Sequence, residues 1–255
     1  MARNPTIVAA LALSLALVSA PALAEPASVA AAVANTGARS EANVKLDENR
    51  KPAELLAFLG LERGAQVLDM FGGNRYWAEI IAPAVGPHGR VIVWQPTQFM
   101  NDKRKAEFDA FAARAGNVAL ITTPFEAPML GTEAHDFMIM NLDYHDVYWQ
   151  SAERKIPRMD PDSWLKRLHA AMKPGAVVGI IDHAANPGGD TREVVEKLHR
   201  IDPAVVRADF ERAGFVLEAE SQLLRNPADD RTTNVFDDTI RGRTDRFVFK
   251  FRKPR

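Results

Sequence analysis

The chain has 255 residues, 47% hydrophobic and 25% charged, and its 32 Lys and Arg nearly cancel 33 Asp and Glu. This is the composition of a folded globular domain and excludes a mainly disordered chain or a polytopic membrane protein; a net charge of −1 recommends no nucleic-acid partner. The lack of cysteine excludes disulfides, zinc–thiolate sites, iron–sulfur clusters and a thiol nucleophile.

Arg3 precedes an apolar run from Ile7 to Ser19; Pro21 and the small residues of Ala22-Leu23-Ala24 follow. This pattern predicts a signal peptide over 1–24, a periplasmic mature chain and no stable membrane insertion after cleavage. Residues 25–45, Ala-rich with Pro26 and Gly37, read as a flexible linker, and 46–255 as one domain.

Within the domain, Leu55 to Leu59 predicts a short helix ended by Gly60. Ala65 to Met70 is a buried strand, bounded by Gly64 and Gly72-Gly73. Tyr76 to Val85 reads as helix despite Pro83, Val91 to Trp94 as strand, Lys103 to Ala115 as helix, and Val118 to Thr122 and Asp136 to Asn141 as strands. Ser163 to Met172 is a helix capped by Asp162 or Ser163 and stopped by Lys173-Pro174-Gly175. A strand from Val177 to Ile181 follows, then helices at Arg192 to His199 and Pro203 to Ala213. Two alternating stretches, Phe215 to Leu223 and Asp245 to Phe251, close the chain as an antiparallel hairpin. Alternating strands and helices imply an α/β fold with a mostly parallel seven-stranded sheet covered on both faces. Ligands of such sheets bind outside the C-terminal strand ends, where Asp69, Gln95, Asn141 and Asp182-His183 fall.

The ordered landmarks are Val67-Leu68-Asp69 with Gly72-Gly73, Asn141-Leu142-Asp143-Tyr144-His145-Asp146, Met172-Lys173-Pro174-Gly175, Asp182-His183, Leu198-His199-Arg200 and Thr244-Asp245-Arg246-Phe247. With them the domain resembles the class I S-adenosylmethionine-dependent methyltransferases, and within these an exported bacterial branch. The resemblance implies a Rossmann-like fold, S-adenosylmethionine as cofactor and a small-molecule acceptor. It also implies cofactor contacts from Asp69, Gly72, Gly73, Gln95 and Asn141. The family's three alternate glycines would fall at Phe71, Gly73 and Arg75, so one of them is kept. Gln95 stands where the family has a ribose-binding acid, and Trp94 or Pro96 is placed near adenine.

After the fourth strand, Tyr144 could hold an apolar acceptor and His145 take its proton, with Asp146 orienting the ring. An unperturbed imidazole titrates near 6.5, close to neutral pH. Equally, Asp143 could cap a short helix there. Two other readings are a binding scaffold that has lost turnover, and a metal-dependent site drawn from His145, Asp146, Asp182, His183 and His199. The last has no contiguous ligand motif, so the sequence assigns no metal.

Overall fold

A computed structural model describes Met1 and residues 28–255. The expected leader and its cleavage site lie outside the described residues. No described helix is long and apolar enough to cross a membrane.

Residues 28–45, expected to be a flexible linker, are packed against the domain instead. Helices α1 (Val29–Ala34) and α2 (Glu41–Val44) bury Val29, Ala32 and Asn43. Arg39 meets both oxygens of Asp47 at 2.7 Å, and Asp47 also accepts from the Tyr76 hydroxyl at 2.8 Å. Asn43 donates to Glu79 at 2.9 Å and to the carbonyl of Asn74 at 3.1 Å. Asn74 and Glu79 stand 31 and 36 residues from Asn43, so the local composition of this Ala-rich stretch gives no sign of them.

Short helices α3 (Asp47–Arg50) and α4 (Pro52–Leu59) lead into β1 (Gln66–Met70). Then come α5 (Tyr76–Val85), β2 (Arg90–Pro96), α6 (Asp102–Ala115), β3 (Val118–Thr123) and β4 (His135–Asn141). Helix α7 (Pro161–Ala171) runs directly into β5 (Met172–His183), and α8 (Thr191–Leu198), α9 (Pro203–Arg212), β6 (Val216–Ser221) and β7 (Arg246–Arg252) follow. Asp160, rather than Asp162 or Ser163, caps α7: its side chain accepts from the Ser163 backbone, with Pro161 in the first turn. Met172-Lys173-Pro174-Gly175 begins β5 rather than separating it from the helix.

The sheet order is β3-β2-β1-β4-β5-β7-β6. The strands from β3 to β5 pair in parallel, and β7 joins β5 antiparallel with β6 outside it. Each central strand is almost continuously apolar because both faces are covered. Val67, Val93, Phe137, Ile139 and Ile181 pack with Leu55, Leu56 and Leu59 of α4 and Ile80 and Ile81 of α5. Leu68, Met70, Met138, Met140 and Ile180 pack with Trp164 and Leu168 of α7 and Phe210 of α9. The strand order reverses between β1 and β4, which sets a crevice at their C-terminal ends.

Candidate functional site

The crevice has two sides. On the first, β1 ends at Asp69 and Met70, and the chain turns through Gly72-Gly73-Asn74 into α5. Counting by alternate residues from Val67, Val93 and Ile139 puts Asp69, Gln95 and Asn141 on one face of the sheet. The turn keeps a glycine-like backbone without the glycines. Phe71 has φ 58° and Arg75 φ 68°, both left-handed and both at positions where the resemblance expects glycine. For non-glycine residues this costs about 1–2 kcal/mol each. The Phe71 ring offsets part of that by standing edge-on to Trp94 at 5.0 Å and to Phe125 at 5.3 Å.

Gly72 and Gly73 are fixed by close approach. A Cβ on Gly72 would lie 2.3 Å from an Asp69 oxygen, and one on Gly73 2.6 Å from Gln95 Oε1. The Gly73 N–H donates to that Gln95 oxygen at 2.8 Å. Asp69 is fully buried, and no side chain donates to its oxygens, which meet only the Ala78 backbone N–H. Burial pushes its carboxyl up to about 8, against the pull of Arg50 and of the nearby Ala78 backbone. The Asn141 side-chain oxygen is also buried, and has no partner. Trp94 is not free for an adenine: it is fully buried among Phe71, Phe125 and Trp164, and its indole N–H donates to Thr123 at 2.8 Å.

On the second side, a 3-10 turn, Tyr144–Val147, follows β4. Asp143 precedes it but makes no capping hydrogen bond. His145 is buried over the end of β5, where one oxygen of Asp182 lies 2.8 Å from its Nδ1 and the other accepts its backbone N–H at 2.9 Å. Asp182 also accepts the His183 N–H at 2.8 Å. This assigns the proton to Nδ1 and leaves Nε2 facing Asp146 at 3.5 Å. Asp146 in turn lies 3.8 Å from Nδ1 of His199.

Burial alone would lower the pKa of His145, but Asp182, Asp146 and then Asp143 outweigh it and raise it to about 9. The expectation of a ring poised near neutrality is thereby corrected. His183 goes the other way, lowered by burial and then by the charges of His145 and Arg246; its Nδ1 is 2.6 Å from the Thr244 hydroxyl.

Tyr144 does not join this group. Its hydroxyl donates to Asp209 of α9 at 2.7 Å and its ring packs on Phe210, so it is core. Successive side chains of a tight turn point in different directions, which separates Tyr144 from His145. Arg200, next to His199, is also structural. It clamps Asp229 through two nitrogens at 2.8 and 3.1 Å and so ties the β6–β7 connection to the end of β5. Arg225 and Asp245 pair across that connection at 2.7 Å as a structural ion pair.

Sequence reasoning missed four contributors. Arg50 of α3 stacks on Tyr76 at 4.3 Å and acts on the charges of Asp69 and Asp143. Arg246 at the start of β7 is buried, and burial and Arg50 lower it to about 10. Trp149 and the exposed Phe236 lie against the His199 ring at 5.6 and 4.8 Å. Arg50 precedes a helix and Phe236 sits in a polar loop, so neither carries a local signal.

No family model and no curated protein matches the chain. Solved structures do. The chain is similar to a SAM-dependent methyltransferase from Aquifex aeolicus at 18% identity, over 84% of this chain and 94% of that one, with a TM-score of 0.56. It is similar to the 1,6-didemethyltoxoflavin-N1-methyltransferase of Burkholderia thailandensis, solved with S-adenosylhomocysteine and 1,6-didemethyltoxoflavin, at 18% identity, over 93% and 94% of the chains, TM-score 0.52. The 4+2 cyclase SpnF shares the fold too, at 14% identity, over 86% and 84% of the chains, TM-score 0.54. At these identities the likeness establishes the fold: a Rossmann-like, class I methyltransferase sheet, as the sequence predicts.

Proposed function

We propose that the protein transfers a methyl group from S-adenosylmethionine to a small molecule in the crevice between β1 and β4. One observation carries the cofactor half of this reading. Asp69 and Asn141 bury side-chain oxygens that no side chain meets, on one face of β1 and β4 and two residues apart in register, on the side that carries the Gly72-Gly73 turn. Buried polar atoms are ordinarily paired, and under-paired ones clustered at a ligand-binding turn fit a ligand that brings donors. The cationic amino-acid end of S-adenosylmethionine is such a ligand, and these residues would hold it. Gln95, which now accepts from Gly73, would meet the ribose through a neutral amide. When bound, the cofactor supplies an electrophilic methyl group. His145 and Asp146, oriented by Asp182, then hold the acceptor at the ends of β4 and β5. In-line displacement gains most of its rate from such positioning.

The second reading, a binding scaffold without turnover, is favoured by the Gln95–Gly73 hydrogen bond and by the side chains at the lost glycine positions. Calorimetric titration with S-adenosylhomocysteine separates the two. The methyltransferase reading expects saturable binding of one molecule per chain. An absence of binding would sink it and leave the scaffold.

A further inference from the structure

We infer that His145, Asp146 and His199 form a binding site for a divalent transition metal of the zinc class, with its open position toward the acceptor. The three side chains each offer a ligand atom, and those atoms lie within 4.8 Å of one another. Asp146 Oδ1 is 3.5 Å from His145 Nε2 and 3.8 Å from His199 Nδ1. These spacings are too long for good hydrogen bonds. They are close to those around a tetrahedral ion, whose bonds of about 2.0–2.2 Å set ligand atoms roughly 3.3–3.5 Å apart. The three ligand atoms therefore stand within reach of one ion, and no hydrogen bond joins them.

The orientation of each ring supports this. Asp182 holds His145 through Nδ1 at 2.8 Å, which turns Nε2 toward the cluster, where an ion would displace its proton. A carboxylate behind a ligating imidazole is the usual arrangement at metal sites, where it fixes the tautomer and strengthens the ligand. His199 ends α8 in a left-handed conformation, φ 50°, which few non-glycine residues adopt. It is kept there by backbone pairing that lays Ile201 beside Ala184 at the end of β5, and by the rings of Trp149 and Phe236. The donor set of two imidazoles and one carboxylate suits zinc and its neighbours in the first row. Three protein ligands leave a fourth position, as at catalytic sites. The Asp146 and His199 side chains each keep 16% of their surface exposed, so the cluster borders solvent. Asp146 and the Asp182 carboxylate behind His145 together balance the ion's two charges, so the natural fourth ligand is a hydroxyl oxygen. The acceptor class is then a small molecule with a hydroxyl group. That assignment of the acceptor rests on the methyltransferase reading; the ion site does not.

The test uses the full chain without an affinity tag, stripped by chelator and titrated with zinc alone. One zinc per chain is expected, confirmed by elemental analysis after gel filtration. His199→Ala and Asp146→Asn should each abolish stoichiometric binding, and Asp182→Asn should weaken it about 10- to 100-fold. His88→Ala, at an exposed loop histidine, should bind as wild type does. Thermal unfolding of each variant shows that it is folded, and His199→Gln serves as the milder replacement. A wild-type chain that takes up no zinc would overturn the inference, as would folded His199 and Asp146 variants that bind it undiminished. S-adenosylhomocysteine titrated into the same samples separates the two readings. Zinc uptake without it keeps the ion site and removes the methyltransferase; the reverse keeps the methyltransferase and removes the ion site.

Discussion

Asp69 and Asp182 close neighbouring parts of the same crevice, on opposite sides of the reversal in strand order, and their surroundings could hardly differ more. Asp69 meets no side-chain donor, only the Ala78 backbone, and its carboxyl is pushed up to about 8 by burial. Asp182 accepts two backbone N–H groups and faces Nδ1 of His145, all within 2.9 Å. A carboxylate surrounded by donors acts on its neighbours, and His145 is raised to about 9. On the β4–β5 side the carboxylate is thus satisfied within the protein. The β1–β2 side is an unfinished polar arrangement that a ligand would complete.

Removing the organised centre should have the largest effect. With an acceptor found by screening, His145→Asn is expected to lower turnover about 100-fold, the scale on which a misplaced reactant loses rate. Affinity for S-adenosylhomocysteine should stay within a few-fold of wild type, because His145 lies on the other side of the reversal. Steady-state kinetics beside calorimetry reads both. Full activity in the variant would place the reaction elsewhere; an equal loss of cofactor affinity would show that the two sides are one site.

The unfinished side is tested by pH. In the unfolded chain an Asp carboxyl ionises near 3.9, whereas folded Asp69 keeps its proton to about 8. Between these values the folded state binds more protons, so stability falls as pH rises and levels off above about 8. Asp69→Asn is neutral throughout. Its thermal midpoint should therefore gain on wild type steadily from pH 5 to pH 8, and parallel curves would mean that Asp69 is already paired.

The same contrast explains what the sequence could reveal. Strand ends are readable because an apolar run stops at a polar residue, as at Asp69, Asn141 and Asp182. Helix starts are readable to within a turn, although Asp160 with Pro161 outcompeted the caps read at Asp162 and Ser163. The positive φ at Phe71 and Arg75 was not readable, since only glycine announces that conformation and here aromatic packing replaces it. Nor was the His145–Asp182 contact, which joins residues 37 apart. That pair was visible in the sequence only as two polar motifs after successive strands. Tyr144 shows the opposite error: adjacency in sequence suggested a shared site, and the turn sent its side chain into the core.

The smallest expected effect is also the most specific to the cofactor side. Gln95 accepts the Gly73 N–H with its amide oxygen and has no charge to offer a ribose. Gln95→Glu keeps an oxygen for Gly73 and adds a second that can accept from a ribose hydroxyl. A charge-assisted hydrogen bond contributes about 1.5–3 kcal/mol before desolvation is counted. Gln95 is buried, so part of that is lost on bringing the new charge into the site. A realised gain of about 1.4 kcal/mol would tighten S-adenosylhomocysteine tenfold. Adenosine should tighten by the same factor, because it carries the same ribose, whereas methionine should not change. Tightening of neither nucleoside ligand would mean that Gln95 serves only to close the turn, and the end of β2 would then belong to the fold and not to the site.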